Sequence, residues 1–256
     1  MSDQRHIVAL SGGKDSTALA LYLKRQYPAL PMEYVFADTG RELPEVYTFL
    51  KELEAHLGPI VTLTDYGRTF DYYLDRWGHF LPGNASRWCT KHLKIRPFER
   101  YVGTKQSNGR FIRHAVIYIG IRSDEENREG NYGIEGVEYR YPFIEDRIDL
   151  DGVMTILNEA QITLPAYYSW RSTGGCYMCP WQRKRDWLGL KRHHPDLFQQ
   201  ALADEKLAQA SSPFNNTTWS VSRVSLADLE AQQDLPFDAS LDEVNTDSRP
   251  CLICAK

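Results

Sequence analysis

The sequence predicts an α/β fold in which a mainly parallel sheet is flanked by helices and followed by a C-terminal extension. Short apolar runs alternate with helical patterns through the first half of the chain, which is typical of βαβ units with right-handed crossovers. A glycine-rich turn separates the first apolar run from the first helical pattern. A hydrophobic content of 42% with 25% charged residues argues against a disordered, collagen-like or coiled-coil chain.

The elements of the first half follow from local periodicity. The predicted strands are 6–10, 32–37, 60–63 and 115–121. Closely spaced Leu and Ala residues predict a buried helix over 16–27, and apolar residues at helical spacing predict an amphipathic helix over 43–57. Because ligands of parallel sheets bind beyond the carboxyl ends of the strands, we expect the functional site at 11–16, 38–42 and 120–128.

The second half is less regular. The predicted helices are 149–160, 181–193, 195–209 and 225–233. Periodicity weakens after residue 211, so we divide the chain into a body at 1–210 and a C-terminal extension at 211–256.

Charge and hydrophobic patterning exclude several classes of protein. The chain has 30 basic and 34 acidic residues, so no overall cationic field favours nucleic acid. No apolar run reaches the roughly 20 residues of a membrane span, and the first residues lack the pattern of a signal peptide. We therefore expect a cytoplasmic protein with no membrane partner. Charge is uneven, however: segment 87–114 carries eight Lys or Arg against one acidic residue, and 171–193 carries six against one, which could steer an anionic substrate.

The glycine-rich turn is the clearest candidate site. It comprises Ser11, Gly12, Gly13, Lys14, Asp15 and Ser16. Glycines allow close approach of the backbone to a ligand, and the N–H groups at a helix start favour an anion. The serines add hydroxyl donors, the lysine adds a charge, and the aspartate could hold Mg²⁺ on phosphates. A purely structural turn is the alternative, but this combination predicts phosphate binding, without matching a Walker A loop.

This hexapeptide resembles the PP-loop of the N-type ATP pyrophosphatases. Further segments resemble the phosphoadenosine-phosphosulfate (PAPS) reductase-like branch of that superfamily: they lie at 36–45, 88–97, 120–125 and 141–143, the last resembling a strand. The Gly-Gly-Cys-Tyr-Met-Cys-Pro segment at 174–180 is similar to the Cys-x-x-Cys-Pro region of DNA phosphorothioation proteins of the DndC and SspD types. The resemblance covers about 6–205 and identifies the body at 1–210 as a PP-loop ATP pyrophosphatase or PAPS reductase-like domain.

The resemblance implies ATP cleavage between the α and β phosphates, adenylylation of a substrate oxygen, and displacement of AMP by a sulfur or nitrogen nucleophile. ATP and Mg²⁺ are the implied cofactors, with DNA as substrate and a cysteine desulfurase as sulfur donor. The implied catalytic residues are Lys14, Asp15, Arg122 and Cys89. Residues expected to bind the nucleotide are those of the glycine-rich turn together with Asp38, Thr39 and Gly40. Asp38 could instead cap a turn, and Arg122 could be a surface ion-pair partner.

Five cysteines occur, and four of them form two Cys-x-x-Cys pairs. They are Cys89, Cys176, Cys179, Cys251 and Cys254. Three arrangements are open. In the first, Cys89 and the first pair bind an iron–sulfur cluster, which the resemblance implies is [4Fe-4S], with a tail cysteine as a fourth ligand. In the second, both pairs together bind Zn²⁺. In the third, Cys89 or a tail cysteine carries a persulfide. Reductases of the family have a Cys-Cys pair where this chain has Trp88 and Cys89, so one cluster ligand is missing.

Three other functions are compatible with the same residues. They are a PAPS or adenylyl-sulfate reductase, a tRNA thiolation enzyme, and a non-catalytic subunit that senses a nucleotide.

Overall fold

A five-stranded parallel sheet forms the centre of the computed structural model, which describes residues 4–83, 86–105, 111–112, 114–128, 136–172, 174–211, 218–219 and 225–231. In spatial order the strands are β3 (Ile60–Leu63), β2 (Met32–Ala37), β1 (Arg5–Leu10), β6 (Ala115–Tyr118) and β7 (Val137–Arg140), each parallel to its neighbour. Two short strands, β4 (Thr104–Lys105) and β5 (Phe111–Ile112), pair antiparallel beside it. The predicted fold class is confirmed.

Helices connect and cover the strands. They are α1 (Lys14–Gln26), α2 (Pro44–Leu57), α3 (Phe70–Arg76), α4 (Arg96–Val102), α5 (Pro142–Glu145), α6 (Leu150–Glu159), α7 (Lys184–His193), α8 (Pro195–Ser211) and α9 (Leu226–Ala231). A π-helical turn at Thr90–Ile95 runs into α4, and 3₁₀ turns lie at Ser123–Arg128 and Ala166–Ser169. Every helix predicted from periodicity is present within a few residues of its expected ends.

Both faces of the sheet are buried. Successive side chains of β1 point to opposite faces, and each face packs against its own apolar core. Val8 and Leu10 enter a large core shared with α1, α2, α6, α7 and α8, whereas Ile7 enters a smaller core with Phe98 and Val102 of α4. Such two-sided burial explains why the central strands are continuous apolar runs rather than alternating ones.

The strand expected at 141–143 is wrong. Pro142 begins the short helix α5, and the strand that precedes it, β7, ends at Arg140. Proline suits the first turn of a helix because the N–H it lacks has no intrahelical partner there. The strand predicted over 115–121 also ends early, at Tyr118. The chain then passes so close to the start of α1 that a Cβ on Gly120 would lie 3.0 Å from the Asp15 carbonyl oxygen.

The described parts of the C-terminal extension pack on the body. Trp219 is 1% exposed and lies against Phe70 and Trp187. The buried Glu205 carboxylate of α8 accepts hydrogen bonds from the N–H of Trp219 at 3.0 Å and of Leu226 at 2.6 Å. These bonds pin two separate pieces of the extension to α8. The boundary near residue 210 stays a prediction, as do the roles of Cys251 and Cys254, which lie outside the described residues.

Within the described ranges, no helix combines the length and the apolar character needed to cross a membrane.

Candidate active site

The glycine-rich turn connects β1 to α1, as predicted. Gly12 has a φ of +71°, and a Cβ there would lie 2.7 Å from Cγ1 of Val46 on α2. Gly13 is the extended residue before the helix and has no side chain to cap it. Gly13 therefore cannot provide the side-chain cap that commonly satisfies a backbone N–H group at a helix start.

Two serine hydroxyls hold the turn in shape. Ser16 Oγ accepts from the Ser11 N–H at 3.0 Å and donates to the Gly13 carbonyl at 3.1 Å, while the two hydroxyl oxygens are 3.0 Å apart. The Gly13 N–H donates to Ser11 Oγ at 3.3 Å. Both hydroxyls are thus engaged within the turn, a function that motif spacing does not reveal.

A buried ion network adjoins the turn. Arg122, only 2% exposed, reaches Asp15 at 3.1 Å, Asp124 at 2.9 Å and Glu125 at 3.0 Å. Lys14 Nζ lies 3.3 Å from the other oxygen of Asp15. Burial alone would lower the pKa of Arg122, but the hydrogen bond to Asp124 and the neighbouring carboxylates raise it. Arg122 is therefore a permanent buried cation and not a surface ion-pair partner.

The segment after β2, at the same edge of the sheet, is held in shape by local hydrogen bonds. Asp38 Oδ1 accepts hydrogen bonds from the Gly40 N–H and the Tyr47 hydroxyl, both at 2.8 Å. Gly40 has a φ of +73°, so the aspartate caps a tight turn. Thr39 is buried and donates to Glu42 Oε1 at 2.9 Å. The structure thus gives Asp38 and Thr39 local partners, and nucleotide binding by this segment stays a prediction.

Cys89 and the distant Cys176 and Cys179 pair line one cavity. The cavity encloses about 670 Å³, part of it open to solvent. Its wall is formed by Cys89, Cys176, Cys179, Ser11, Thr39, Glu42, Thr90 and Lys94, with Pro82, Gly83, Arg87, Gly174, Gly175, Met178, Pro180 and Trp181 completing it. Ser11 belongs to the glycine-rich turn, so the turn and the three thiols open onto the same space.

Burial keeps these thiols protonated. It raises the pKa of Cys89 and, more strongly, of Cys176, and it raises the pKa of Cys179 to about 11. The buried Glu42 carboxylate raises the pKa of Cys176 further, whereas the charge of Lys94 opposes these shifts. A thiolate in this cavity thus requires a neighbouring positive charge or a base.

The described thiols do not by themselves form a metal site. In the part of the chain that the structure covers, no group of three or more His, Cys, Asp or Glu side chains is arranged to hold an ion. Cys251 and Cys254, the other candidate ligands, lie outside that part. The three described thiols do not on their own complete a site for an iron–sulfur cluster or Zn²⁺, and we assign no chemical step to either. Mg²⁺ differs, because it needs only one or two carboxylates when phosphates complete its shell, and Asp15 fits that role.

A hydrogen-bond network that the sequence does not predict holds residues 174–180, the cysteine loop. Arg171, 2% exposed, donates to the carbonyls of Gly174 at 2.8 Å and Cys176 at 2.5 Å and to Gln182 Oε1 at 2.6 Å. Gln182 in turn donates to the carbonyls of Tyr177 and Cys179. In the sequence Arg171 is one of several basic residues of segment 171–193, and nothing in its spacing marks this role.

Arg41 ties the same loop to two helices. Its buried guanidinium donates hydrogen bonds to Asp71 on α3 and to the Tyr177 hydroxyl (3.1 Å), and it lies 3.4 Å from Asp204 on α8. Burial raises the pKa of Asp204 to about 6; the charge of Arg41 opposes this rise, and the negative charges of Asp71 and Asp75 add to it. Asp204 is therefore the described carboxyl of this network that titrates near neutral pH.

D204N is expected to remove a pH dependence of stability. The folded pKa of about 6 exceeds the ordinary 3.8, so protonation favours the folded state, and this contribution is lost as pH rises through 6. We expect the free energy of unfolding of D204N, relative to wild type, to rise by on the order of 2 kcal/mol between pH 4 and pH 7. Urea titrations across that range measure this difference, and parallel pH profiles for the two proteins would contradict it.

Comparison with known proteins gives the family context. Residues 5–142 match the family model of the phosphoadenosine phosphosulfate reductase domain. Two uncharacterized proteins of Methanocaldococcus jannaschii are 26% and 27% identical over 76% and 75% of this chain. The chain spans only 40% and 45% of the length of these relatives. An uncharacterized nin region protein of Escherichia phage lambda is 27% identical over 48% of this chain and 50% of its own length.

Two solved structures resemble the fold at low identity. A phosphoadenylyl-sulfate reductase from Candida auris, in a phosphate complex, has a TM-score of 0.46 and 13% identity, over 64% of this chain and 76% of the other. The U34-tRNA thiolase NcsA from Methanococcus maripaludis, with its [4Fe-4S] cluster, has a TM-score of 0.41 and 16% identity, over 81% and 72%.

Proposed function

The chain belongs to the phosphoadenosine phosphosulfate reductase domain family, and from that premise we propose that it cleaves ATP between the α and β phosphates to activate a substrate oxygen for sulfur transfer. The observation that carries this proposal is the shared cavity. Ser11 of the glycine-rich turn and the thiols of Cys89, Cys176 and Cys179 line the same space. A phosphate cradle beside three thiols suits a reaction that couples nucleotide cleavage to sulfur chemistry.

The first step uses the turn and its charges. The substrate oxygen attacks the α-phosphorus, the bond to the bridging oxygen of the β-phosphate breaks, and pyrophosphate leaves. Backbone N–H groups at the start of α1 and the Lys14 ammonium would stabilise the departing negative charge, which is the main source of catalysis in phosphoryl chemistry. Arg122, which lies beside Asp15, would contribute positive charge toward the α-phosphate. Mg²⁺, held by Asp15 and phosphate oxygens, would neutralise further charge when bound.

The second step uses the thiols. The terminal sulfur of a cysteine persulfide, loaded by a cysteine desulfurase, attacks the activated atom, and AMP leaves with the substrate oxygen. A second thiol then attacks the resulting mixed disulfide, which releases the sulfur on the substrate and leaves a cysteine disulfide for an external thiol to reduce. Cys89 is our candidate for the persulfide, with Cys176 and Cys179 as resolving thiols. Lys94 in the cavity wall would favour their thiolate forms.

For the acceptor we propose the DNA backbone, modified to a phosphorothioate. Arg87 and Lys94 belong to the basic segment 87–114 and also line the cavity, so two positive charges of that segment lie beside the thiols. A polyanion is the substrate that such an environment favours. If the acceptor is tRNA instead, tRNA from a strain lacking the gene would lose a thiolated base while its DNA stays unchanged.

A reductase of PAPS or adenylyl sulfate is the second candidate, favoured by the description of the matching family. Such an enzyme would release sulfite from PAPS in the presence of a dithiol, without consuming ATP. Sulfite formation therefore separates this candidate from sulfur transfer.

Incubation of the purified protein with ATP and MgCl₂ is expected to yield AMP and pyrophosphate in equal amounts, accelerated by added DNA. Product analysis by anion-exchange chromatography measures both. ADP and phosphate as products would contradict the proposed bond cleavage, and binding of ATP without any product would identify a nucleotide sensor. Metal analysis after anaerobic purification decides whether iron or zinc accompanies the cysteines.

A further inference from the structure

A tyrosine hydroxyl lies where the proposed function requires a phosphate oxygen. The backbone N–H of Lys14, at the first position of α1, donates a hydrogen bond to the Tyr168 hydroxyl at 2.9 Å. The same hydroxyl oxygen would lie 3.3 Å from a Cβ on Gly13. Tyr168 therefore sits against the glycine-rich turn on the side where the helix presents its N–H groups.

This hydrogen bond competes with a bound phosphate. N–H groups at a helix start are the donors that hold an anion, and a single N–H makes one good hydrogen bond. A phosphate oxygen that takes the Lys14 N–H must therefore displace the Tyr168 hydroxyl. Burial raises the pKa of Tyr168 to about 12, so the phenol is neutral at physiological pH and does not itself act as a bound anion.

The position of Tyr168 is maintained by its neighbour. The Tyr167 and Tyr168 rings stack with centroids 4.7 Å apart, and the Tyr167 hydroxyl lies 3.4 Å from the Gly12 carbonyl, to which it donates. Tyr167 is fully buried. The 3₁₀ turn that carries both tyrosines is thus fastened to the glycine-rich turn at two points, Gly12 and Lys14.

The same 3₁₀ turn is connected to the cysteine loop. The Arg171 N–H donates to the Tyr167 carbonyl at 2.9 Å, and the Arg171 side chain bonds the carbonyls of Gly174 and Cys176. Hydrogen bonds thus connect the glycine-rich turn, the 3₁₀ turn and the cysteine loop in series. A displacement of Tyr168 would therefore act on the segment that positions Cys176.

We propose that Tyr168 is an autoinhibitory contact: its hydroxyl occupies the Lys14 N–H until phosphate displaces it, and that displacement loosens the loop that carries Cys176 and Cys179. The inference rests on the proposed function, because it assumes that the turn binds the phosphates of ATP. It adds a regulatory residue that couples nucleotide occupancy to exposure of the thiols.

The test is binding of magnesium pyrophosphate, measured by isothermal titration calorimetry. Y168F keeps the stacked ring but removes the competing hydroxyl, so we expect it to bind about two- to tenfold more tightly than wild type, the range that one net hydrogen bond supplies. S169A is the matched control, because it removes an exposed hydroxyl from the same 3₁₀ turn, and its affinity should equal that of wild type. K14A should bind at least tenfold more weakly.

The outcomes separate the two proposals. If wild type and K14A bind pyrophosphate equally, or neither binds, the proposed phosphate site fails. If binding depends on Lys14 but Y168F binds with equal or lower affinity, the phosphate site stands and the autoinhibitory contact is overturned.

Two measurements on wild type test the same inference without any variant. A crystal structure with magnesium pyrophosphate should show the Tyr168 hydroxyl separated from the Lys14 nitrogen, and a retained contact would overturn the proposal. Pyrophosphate should also accelerate alkylation of Cys176 and Cys179 by iodoacetamide, followed by mass spectrometry of the peptide. An unchanged or slower rate would overturn the coupling to the cysteine loop.

Discussion

K14A is expected to reduce ATP cleavage by about 100- to 1,000-fold, the effect of removing one group that stabilises transition-state charge. The side chain is almost entirely buried, with 9% exposure, and its ammonium lies at the start of α1 beside Asp15. D15A should have a comparable effect, because it removes both the proposed Mg²⁺ ligand and one of the three carboxylate partners of Arg122. Release of pyrophosphate under saturating ATP measures the loss for each variant.

K24A provides the control for these substitutions. Lys24 lies on the same helix, but its ammonium donates to the carbonyls of His56 and Leu57, far from the turn. We expect K24A to retain wild-type turnover, and circular dichroism should show that all three variants are folded. Full activity in both K14A and D15A would refute the roles assigned to the turn.

G175A is expected to displace the cysteine loop and to abolish sulfur transfer. A Cβ on Gly175 would overlap Cγ2 of Val46 and lie 3.2 Å from Glu42 Oε2. The loop cannot retreat without losing its hydrogen bond to the residue that precedes α2, in which the Leu43 N–H donates to the Gly175 carbonyl at 2.9 Å. Overpacking of this kind costs about 1–3 kcal/mol, and urea unfolding measures that cost.

The neighbouring residues of Gly175 supply both the control and the rescue. A Cβ on Gly174 would meet no atom within 4 Å, so G174A should leave stability and sulfur transfer near wild type. V46A removes the methyl groups that the new Cβ would strike, so the V46A/G175A double variant should be more stable than the sum of the single effects predicts. Strict additivity would show that the clash with Val46 is not the cause.

Val46 also lies between the two halves of the site. Its Cγ1 faces Gly12 of the glycine-rich turn, and its Cγ2 faces Gly175 of the cysteine loop. One side chain on α2 therefore packs against both the glycine-rich turn and the cysteine loop and limits how closely they approach each other. Substitution by a larger residue at this position would push both segments apart.

Some of this architecture could be predicted from the sequence alone because it depends on local patterns. Continuous apolar runs indicated the buried parallel strands, and Gly12 and Gly13 between a strand and a helix indicated the turn. Short or polar elements gave weaker signals. Helices α3 and α4 have seven residues each, too few for a clear periodicity, and Pro142 was assigned to a strand although it begins α5.

What the sequence by itself determined was the alternation of the main strands and helices and the glycine-rich turn between the first strand and the first helix, because both follow from residues close together in the chain. Only the tertiary structure decided that Cys89 shares a cavity with Cys176 and Cys179, that Arg171 holds their loop, and that Tyr168 covers the Lys14 N–H. Each of these contacts joins residues that the chain brings together only after the sheet and its helices have packed. Such contacts depend on where the packed helices place hydrogen-bond donors and cavities, and the local spacing of residues in the sequence does not specify those positions.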